Sequence, residues 1–220
     1  MAIRLLLVVL GYLCGSLSFV YLVGRGMRAI DMRRYGSHKL SASNIYHHVG
    51  LWAMVLAGIG DLTKAALPVW LTKRLGFELG TAILVGLAAM VGHNWPIFFA
   101  LKGGRGIGTA LGTLVILYPL GAAWILAWVV AGRLTPKAAA VPALLGFLTL
   151  PILALAQKQP PAIAWGALGM LLITIVKRLE GNREPIPEGE KRLAVYGRRL
   201  LLDRDIRDFD AWIQRRPDEA

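Results

Sequence analysis

The sequence predicts an all-α integral membrane protein of about seven transmembrane segments, two of them short half-spans, followed by a cytoplasmic amphipathic tail. Three observations predict it. The mean hydropathy is +0.56. Several apolar runs approach the roughly 20 residues that cross a bilayer. The charged residues gather in short stretches between those runs and in the C-terminal stretch. A net charge of +12 would suggest nucleic acid in a water-soluble chain. Here the cations flank apolar runs, where anionic headgroups attract them, so membrane lipids are the expected surface partner and nucleic acid is not. The chain divides into a transmembrane domain over residues 1–181 and a cytoplasmic tail over 182–220. Cys14, the single cysteine, lies in an apolar run and can form no internal disulfide.

The first span runs from Ile3 to Val23. It has no small-residue cleavage site, its apolar run is longer than that of a signal peptide, and Arg25 and Arg28 follow it, which puts the N-terminus outside. Gly15 and Ser16 within it are suited to close helix packing. The polar loop from Gly24 to Gly50 carries Arg25, Arg28, Arg33, Arg34 and Lys39, together with Ser37, Ser41, Ser43 and Asn44. Cations, hydroxyls and amides hydrogen-bond phosphate or polyol oxygens, and the same composition also suits an ordinary inside loop. His38, His47 and His48 lack cysteine or carboxylate partners at metal-ligand spacing, and neither a metal nor an organic cofactor is expected.

The second span, Leu51 to Leu71, is interrupted by Asp61 and Lys64. Three residues apart, they share one helical face and suit an internal pair. Intramembrane charges face a polar cavity more often than lipid, which makes the pair a functional candidate, and a structural ion pair between helices explains it equally well. Lys73 and Arg74 follow in an outside turn. The third span, Phe77 to Leu101, delivers His93 to its cytoplasmic end. Trp95, Phe98 and Phe99 read as interfacial anchors, and Pro96 loosens the helix there.

The stretch Gly92 to Gly112, GHNWPIFFALKGGRGIGTALG, is the centre of the chain. Lys102 and Arg105 supply positive charge. Gly103, Gly104, Gly106 and Gly108 let backbone N–H groups approach an oxyanion with no Cβ in the way. A helix starting at Ile107 would turn its free N–H groups and positive dipole end toward the same anion. The spacing is not that of a Walker A loop. A short basic turn obeying the positive-inside rule is the plainer reading of the same residues.

Charge parity decides the next region. If Ile107 to Ala131 crossed once, Arg133 and Lys137 would lie outside, and the basic tail would end outside too. Turning back at Tyr118-Pro119 as two half-spans returns both cations to the cytoplasm. The spans Ala138 to Ala156 and Pro161 to Val176 then leave the tail inside. Broken helices of this kind need protein or a polar cavity over their ends. In the tail, Pro185 and Pro187 are breakers, and Leu202, Ile206, Phe209 and Ile213 recur at helical spacing, as in a helix lying on the membrane or the loops.

These motifs resemble the PlsY family of bacterial membrane acyltransferases, which acylate glycerol 3-phosphate with acyl phosphate. GHNWPIFFALKGGRGIGTALG is similar to that family's central GHxxPxxxxFKGGKGxAT. Asp61-Leu62-Thr63-Lys64 is similar to its D-x-x-K, and YGSHKLSASNIYHHVG to its first motif, GSGNxGATNxxRxxG. The resemblance covers roughly residues 8 to 181. There are departures. His38 and Ser41 replace glycines, Lys39 replaces asparagine, His47 stands at the usual arginine, and Arg105 replaces the second lysine. The third motif, HRENIxRLxxG, is reduced to Lys177-Arg178-Leu179 and Gly181, with Leu172 and Ile175 at its histidine and asparagine.

The resemblance implies a membrane acyltransferase in phospholipid synthesis at the bacterial plasma membrane, with its site facing the cytoplasm. Its substrates would be acyl phosphate and glycerol 3-phosphate and its product lysophosphatidic acid. Phosphate would rest on Gly103, Gly104, Arg105 and Gly106. Glycerol 3-phosphate would lie near Ser37, Asn44 and Lys102, with His47, Asp61 and Lys64 in the binding surround. His93 would orient the attacking hydroxyl or accept its proton. Phosphate leaves readily, so positioning and charge stabilisation supply most of the rate and no Ser-His-Asp triad is required. Two rivals remain on the sequence: a non-catalytic relative that binds phospholipid or acyl phosphate, and a membrane carrier.

Overall fold

The computed structural model describes residues 1–217; the last three residues of the tail lie outside the described residues. Among the described residues it is entirely helical. The α-helices are α1 (Ala2–Ser16), α2 (Phe19–Arg28), α3 (Ala42–His48), α4 (Leu51–Arg74), α5 (Leu79–Asn94), α6 (Ile107–Leu117), α7 (Pro119–Ala131), α8 (Ala140–Ala156), α9 (Pro161–Leu179), α10 (Arg192–Leu202) and α11 (Phe209–Ile213).

The expected segments are all present. The first span is one apolar stretch bent at Leu17-Ser18, where the Ser18 side chain accepts from the Tyr21 N–H and so starts α2. Four stretches are long and apolar enough to cross a bilayer: Ala2–Arg28, Leu51–Arg74, Leu79–Phe99 and Pro161–Arg183. The chain does turn back at Tyr118-Pro119. Proline at the first position of α7 has no N–H to offer α6, so α6 stops at Leu117. With 11 residues, α6 is about 16 Å long at 1.5 Å per residue, half of a bilayer core.

Small residues set the helix spacing. A Cβ on Gly15 would overlap the backbone of Ala89, and one on Gly92 would overlap the Tyr12 carbonyl, so α1 and α5 touch backbone to backbone. Gly112 of α6 lies against the Leu62 carbonyl of α4 in the same way. The main core joins α5 to α9 around Met90, Tyr118, Ile125, Phe147 and Leu150. A second, of Val20, Met32, Leu40 and Ile45, supports the first polar loop. Apolar side chains also cover the outside, with Trp52 72% and Trp165 71% exposed, as lipid contact requires and water would penalise.

The tail differs from its periodicity. The 202–213 pattern predicts one helix, but α10 ends at Leu202 and α11 begins only at Phe209. Asp203 takes a left-handed conformation, φ 57°, which breaks the helix, and the Asp208 carboxylate caps the next one by accepting from the N–H groups of Asp210 and Ala211.

Candidate active site

Three side chains form a buried polar cluster between α4 and α5. Asp61 and Lys64 lie one turn apart, as their spacing requires, with Nζ 2.8 Å from Asp61 Oδ1. Lys64 Nζ also donates to the Leu17 carbonyl, at the bend of the first span, and lies 3.0 Å from His93 Nδ1. The lysine side chain is 2% exposed. Its hydrogen bonds go to the Leu17 carbonyl and to His93, while Asp61 Oδ1 is its ion-pair partner. Asp61 Oδ1 lies 3.6 Å from the same Nδ1; with Lys64 as an ammonium, which can only donate, the shorter contact makes Nδ1 the acceptor and leaves the ring hydrogen on Nε2. His93 is thereby a hydrogen-bond donor toward whatever lies beyond Nε2, which suits orientation and charge stabilisation better than proton acceptance.

What lies beyond Nε2 is the glycine loop. A Cβ on Gly104 would overlap His93 Nε2 and the Leu40 carbonyl, and one on Gly103 would overlap the His93 carbonyl. The Gly104 N–H donates to the His93 carbonyl at 3.1 Å, and the Leu40 N–H donates to the Gly103 carbonyl at 3.4 Å. The loop therefore folds onto both His93 and the first polar loop. Gly106, with φ 74°, starts α6 in a conformation that costs glycine little. Gly108 packs against the Asp61 side chain.

Asn44 organises the first polar loop from the inside. It is fully buried. Its amide donates to the carbonyls of Tyr35 at 2.9 Å and of Met32 and Lys39 at 3.1 Å, and its carbonyl oxygen accepts from the Ser37 N–H at 3.2 Å. Its hydrogen-bonding capacity is thus used within the protein, and it shapes the loop that presents Ser37 and Lys39. Ser37 is partly buried and Lys102 is exposed. His47 is exposed and turns its ring edge toward Phe209 of the tail, 6.1 Å between centroids.

Arg105 and Lys39 form a second charged cluster with a residue the sequence did not single out. Arg105 Nε donates to Asp203 Oδ2 at 2.8 Å, its NH2 lies 2.5 Å from Oδ1, and its NH1 donates to the Lys177 carbonyl at 2.8 Å. Lys39 Nζ reaches Asp203 Oδ1 at 3.0 Å and the Asp203 carbonyl at 2.7 Å. Burial would push the Asp203 carboxyl up, but the charges of Arg105 and Lys39 outweigh it and hold the group well below the usual carboxylate range. Burial, then the neighbouring Arg105 charge, lowers Lys39 from 10.5 to about 8, against the raising effect of Asp203.

Asn94 is not singled out by the sequence, and Lys177 is read there only as part of the reduced third motif. Lys177 pairs with Glu180 at 2.6 Å and lies 4.9 Å from the centre of the Trp95 ring, whose Nε1 also donates to Glu180. Asn94 is fully buried beside Gly106, and neither polar atom of its amide has a partner among the described residues. Its place directly after His93 was the only available signal.

Fold and site together define a multi-pass helical membrane protein with a cation-flanked glycine loop at the end of a buried Asp-Lys-His cluster. The glycerol-3-phosphate acyltransferase family model matches residues 5–184. The chain belongs to that family. Glycerol-3-phosphate acyltransferase 5 of Dehalococcoides mccartyi is 34% identical over 217 residues, covering 96% of this chain and 93% of its own length. The glycerol-3-phosphate acyltransferase of Pseudomonas putida is 36% identical over 188 residues, covering 85% of this chain and 97% of its own length. Among solved structures, the glycerol 3-phosphate form of PlsY (YgiH), an integral membrane glycerol 3-phosphate acyltransferase, superposes with a TM-score of 0.73 at 25% identity, covering 82% of this chain and 90% of that one.

Proposed function

We propose that this protein transfers an acyl group from acyl phosphate to the 1-hydroxyl of glycerol 3-phosphate, in the bacterial plasma membrane and with its site facing the cytoplasm. The observation that carries the reading is the glycine loop folded against His93 Nε2 and the Ser37–Leu40 segment, with Arg105 and Lys39 closing on an oxyanion, here a carboxylate. Family membership and the names of the relatives support the same activity.

The hydroxyl oxygen attacks the acyl carbon, the bond from that carbon to the bridging phosphate oxygen breaks, and phosphate leaves with the electron pair. The hydroxyl proton passes to the departing phosphate, so atoms and charge balance without a separate base. His93 Nε2–H and the cations stabilise the negative charge as it develops, and the Asp61–Lys64 pair fixes the ring that carries the donor. Gly103, Gly104 and Gly106 give the phosphate a close backbone approach. Ser37 and Lys102 meet the glycerol 3-phosphate, with His47 at the periphery and Asn44 acting through the loop it holds. The transmembrane portion, residues 1–181, carries the reaction, and residues 182–220 form the cytoplasmic tail.

The test is phosphate release and lysophosphatidic acid formation by the purified protein given acyl phosphate and glycerol 3-phosphate. Turnover is expected, with Arg105→Ala abolishing it in a folded protein. Saturable acyl phosphate binding without turnover would instead identify a binding protein, and solute flux in proteoliposomes without acyl transfer a carrier.

A further inference from the structure

In this structure the Nε–NH2 edge of Arg105 and one hydrogen of its NH1 are taken by the protein. Its Nε and NH2 face the two oxygens of Asp203, the side-by-side geometry in which a guanidinium grips phosphate, and NH1 is committed to the Lys177 carbonyl. Lys39 is bound by the same carboxylate and by the carbonyl of the same residue. The carboxylate is 14% exposed. Asp203 has a left-handed backbone, and both its carbonyl and its carboxylate meet Lys39.

The segment around it is fastened over the first polar loop. Arg178 donates to the carbonyls of Leu200 and Leu201. The Lys39 ammonium lies 5.4 Å from the Trp212 ring centre. The Gly36 N–H donates to the Arg215 carbonyl at 2.8 Å, and His48 Nε2 lies 2.9 Å from the Ile213 carbonyl. Gly36 is thereby covered by the tail. The family match ends at residue 184, yet the Dehalococcoides mccartyi relative aligns over 96% of this chain, so the tail is present in some relatives and lies outside the match in others.

We propose that residues 192–213 form a strap whose Asp203 carboxylate occupies the phosphate place, and that an incoming substrate phosphate displaces it. The proposal rests on the reading of the glycine loop and Arg105 as the phosphate site. A phosphate dianion offers two cations more charge and more oxygens than one carboxylate, so exchange is favoured once substrate is present. The strap acts as an intramolecular competitor. It weakens the binding of every phosphate-bearing ligand at this site and makes substrate concentration the condition for opening.

The experiment uses the full chain in lipid nanodiscs, with inorganic phosphate as the probe. Asp203→Asn keeps the shape and removes the charge. Its phosphate Kd is expected to fall by roughly tenfold, the size of one charge-assisted contact, and its KM for acyl phosphate to fall without a fall in kcat. Unchanged or weaker phosphate binding overturns the proposal. So does a lower kcat at constant KM, which would make Asp203 a positioning residue for Arg105. Should the variant fold poorly, hydrogen exchange in the unaltered protein decides: amides of 195–202 and 209–213 are expected to exchange faster as phosphate saturates, and no change overturns the strap. Tighter phosphate binding by Asp203→Asn with no acyl transfer in any form would sink the proposed reaction and leave the strap standing. Normal turnover with phosphate binding indifferent to Asp203 would do the reverse.

Discussion

Lys64 and Arg105 each hold an aspartate, Asp61 and Asp203 respectively, yet the two pairs are built on different principles. Asp61 and Lys64 sit one helical turn apart inside the bilayer region, and their third partner, His93, comes from the adjoining helix. That cluster forms whenever α4 and α5 pack. Arg105 meets Asp203 across 98 positions of sequence and Lys39 meets it across 164, at a surface where phosphate from water can compete. The inner pair is enclosed by Leu17 and His93; the outer one, on the proposed reading, meets a substrate phosphate. On that reading the difference separates a fixed scaffold for His93 from an exchangeable grip.

The largest expected effect comes from breaking the inner pair. Lys64→Ala leaves Asp61 buried without its cation, and a loss of about 3–5 kcal/mol is expected, read as a lowered unfolding midpoint in detergent or nanodiscs. A change under 1 kcal/mol would show that water reaches Asp61 and that the two clusters are less different than their burial indicates.

Gly104→Ala strikes the contact between the clusters. Its methyl must displace the His93 ring or the Leu40 carbonyl. A stability loss of roughly 1–3 kcal/mol is expected for such overpacking, with turnover lost nearly completely. Full activity in this variant would mean that His93 and the loop act independently.

pH sharpens the comparison because burial lowers the Lys39 ammonium, in the outer cluster, to about 8. As pH rises through that value Lys39 loses its charge, so kcat/KM for acyl phosphate should fall above it with a one-proton slope. Stability moves the other way. The folded pKa lies below the ordinary 10.5, so between the two values the unfolded chain binds more protons than the folded one, and this group's contribution to stability rises with pH. A flat kcat/KM profile from pH 7 to 9.5 would remove Lys39 from the site.

The smallest effect is expected at Lys137, whose pair with Asp210 at 3.3 Å leaves the two side chains 73% and 61% exposed. Lys137→Ala should change stability by about 0.5 kcal/mol or less and leave tail exchange as it was. A freed tail would show that this surface pair, rather than Asp203, holds the strap.

Much of this was legible in the sequence, and the reasons are local. Apolar runs of bilayer length fix the spans. The turn at Tyr118-Pro119 follows from proline chemistry together with the placement of cations at Lys137 and in the tail. Asp61 and Lys64 announce a shared face by their spacing, and the glycine-cation composition marks the loop that folds onto His93. The residues that escaped notice depend on tertiary approach. Asp203 lies in a stretch whose spacing reads as continuous helix, and only docking on Arg105 and Lys39 makes its helix-breaking conformation intelligible. Asn44 has the composition of a ligand-binding amide, but the Met32, Tyr35 and Lys39 carbonyls that occupy it become visible only when the loop closes. Lys39, which reads as a departure from the family's first motif, shares the Asp203 carboxylate with Arg105.

The central claim is that Gly103 to Gly106 and Arg105 receive a phosphate beside His93. Its most direct test is an experimental structure with a non-hydrolysable acyl phosphate analogue bound. The account predicts the phosphorus over the glycine loop, Arg105 turned from Asp203 to the phosphate oxygens, and the acyl carbon within reach of His93 Nε2. A phosphate bound elsewhere, with the Arg105–Asp203 pair intact, would contradict it.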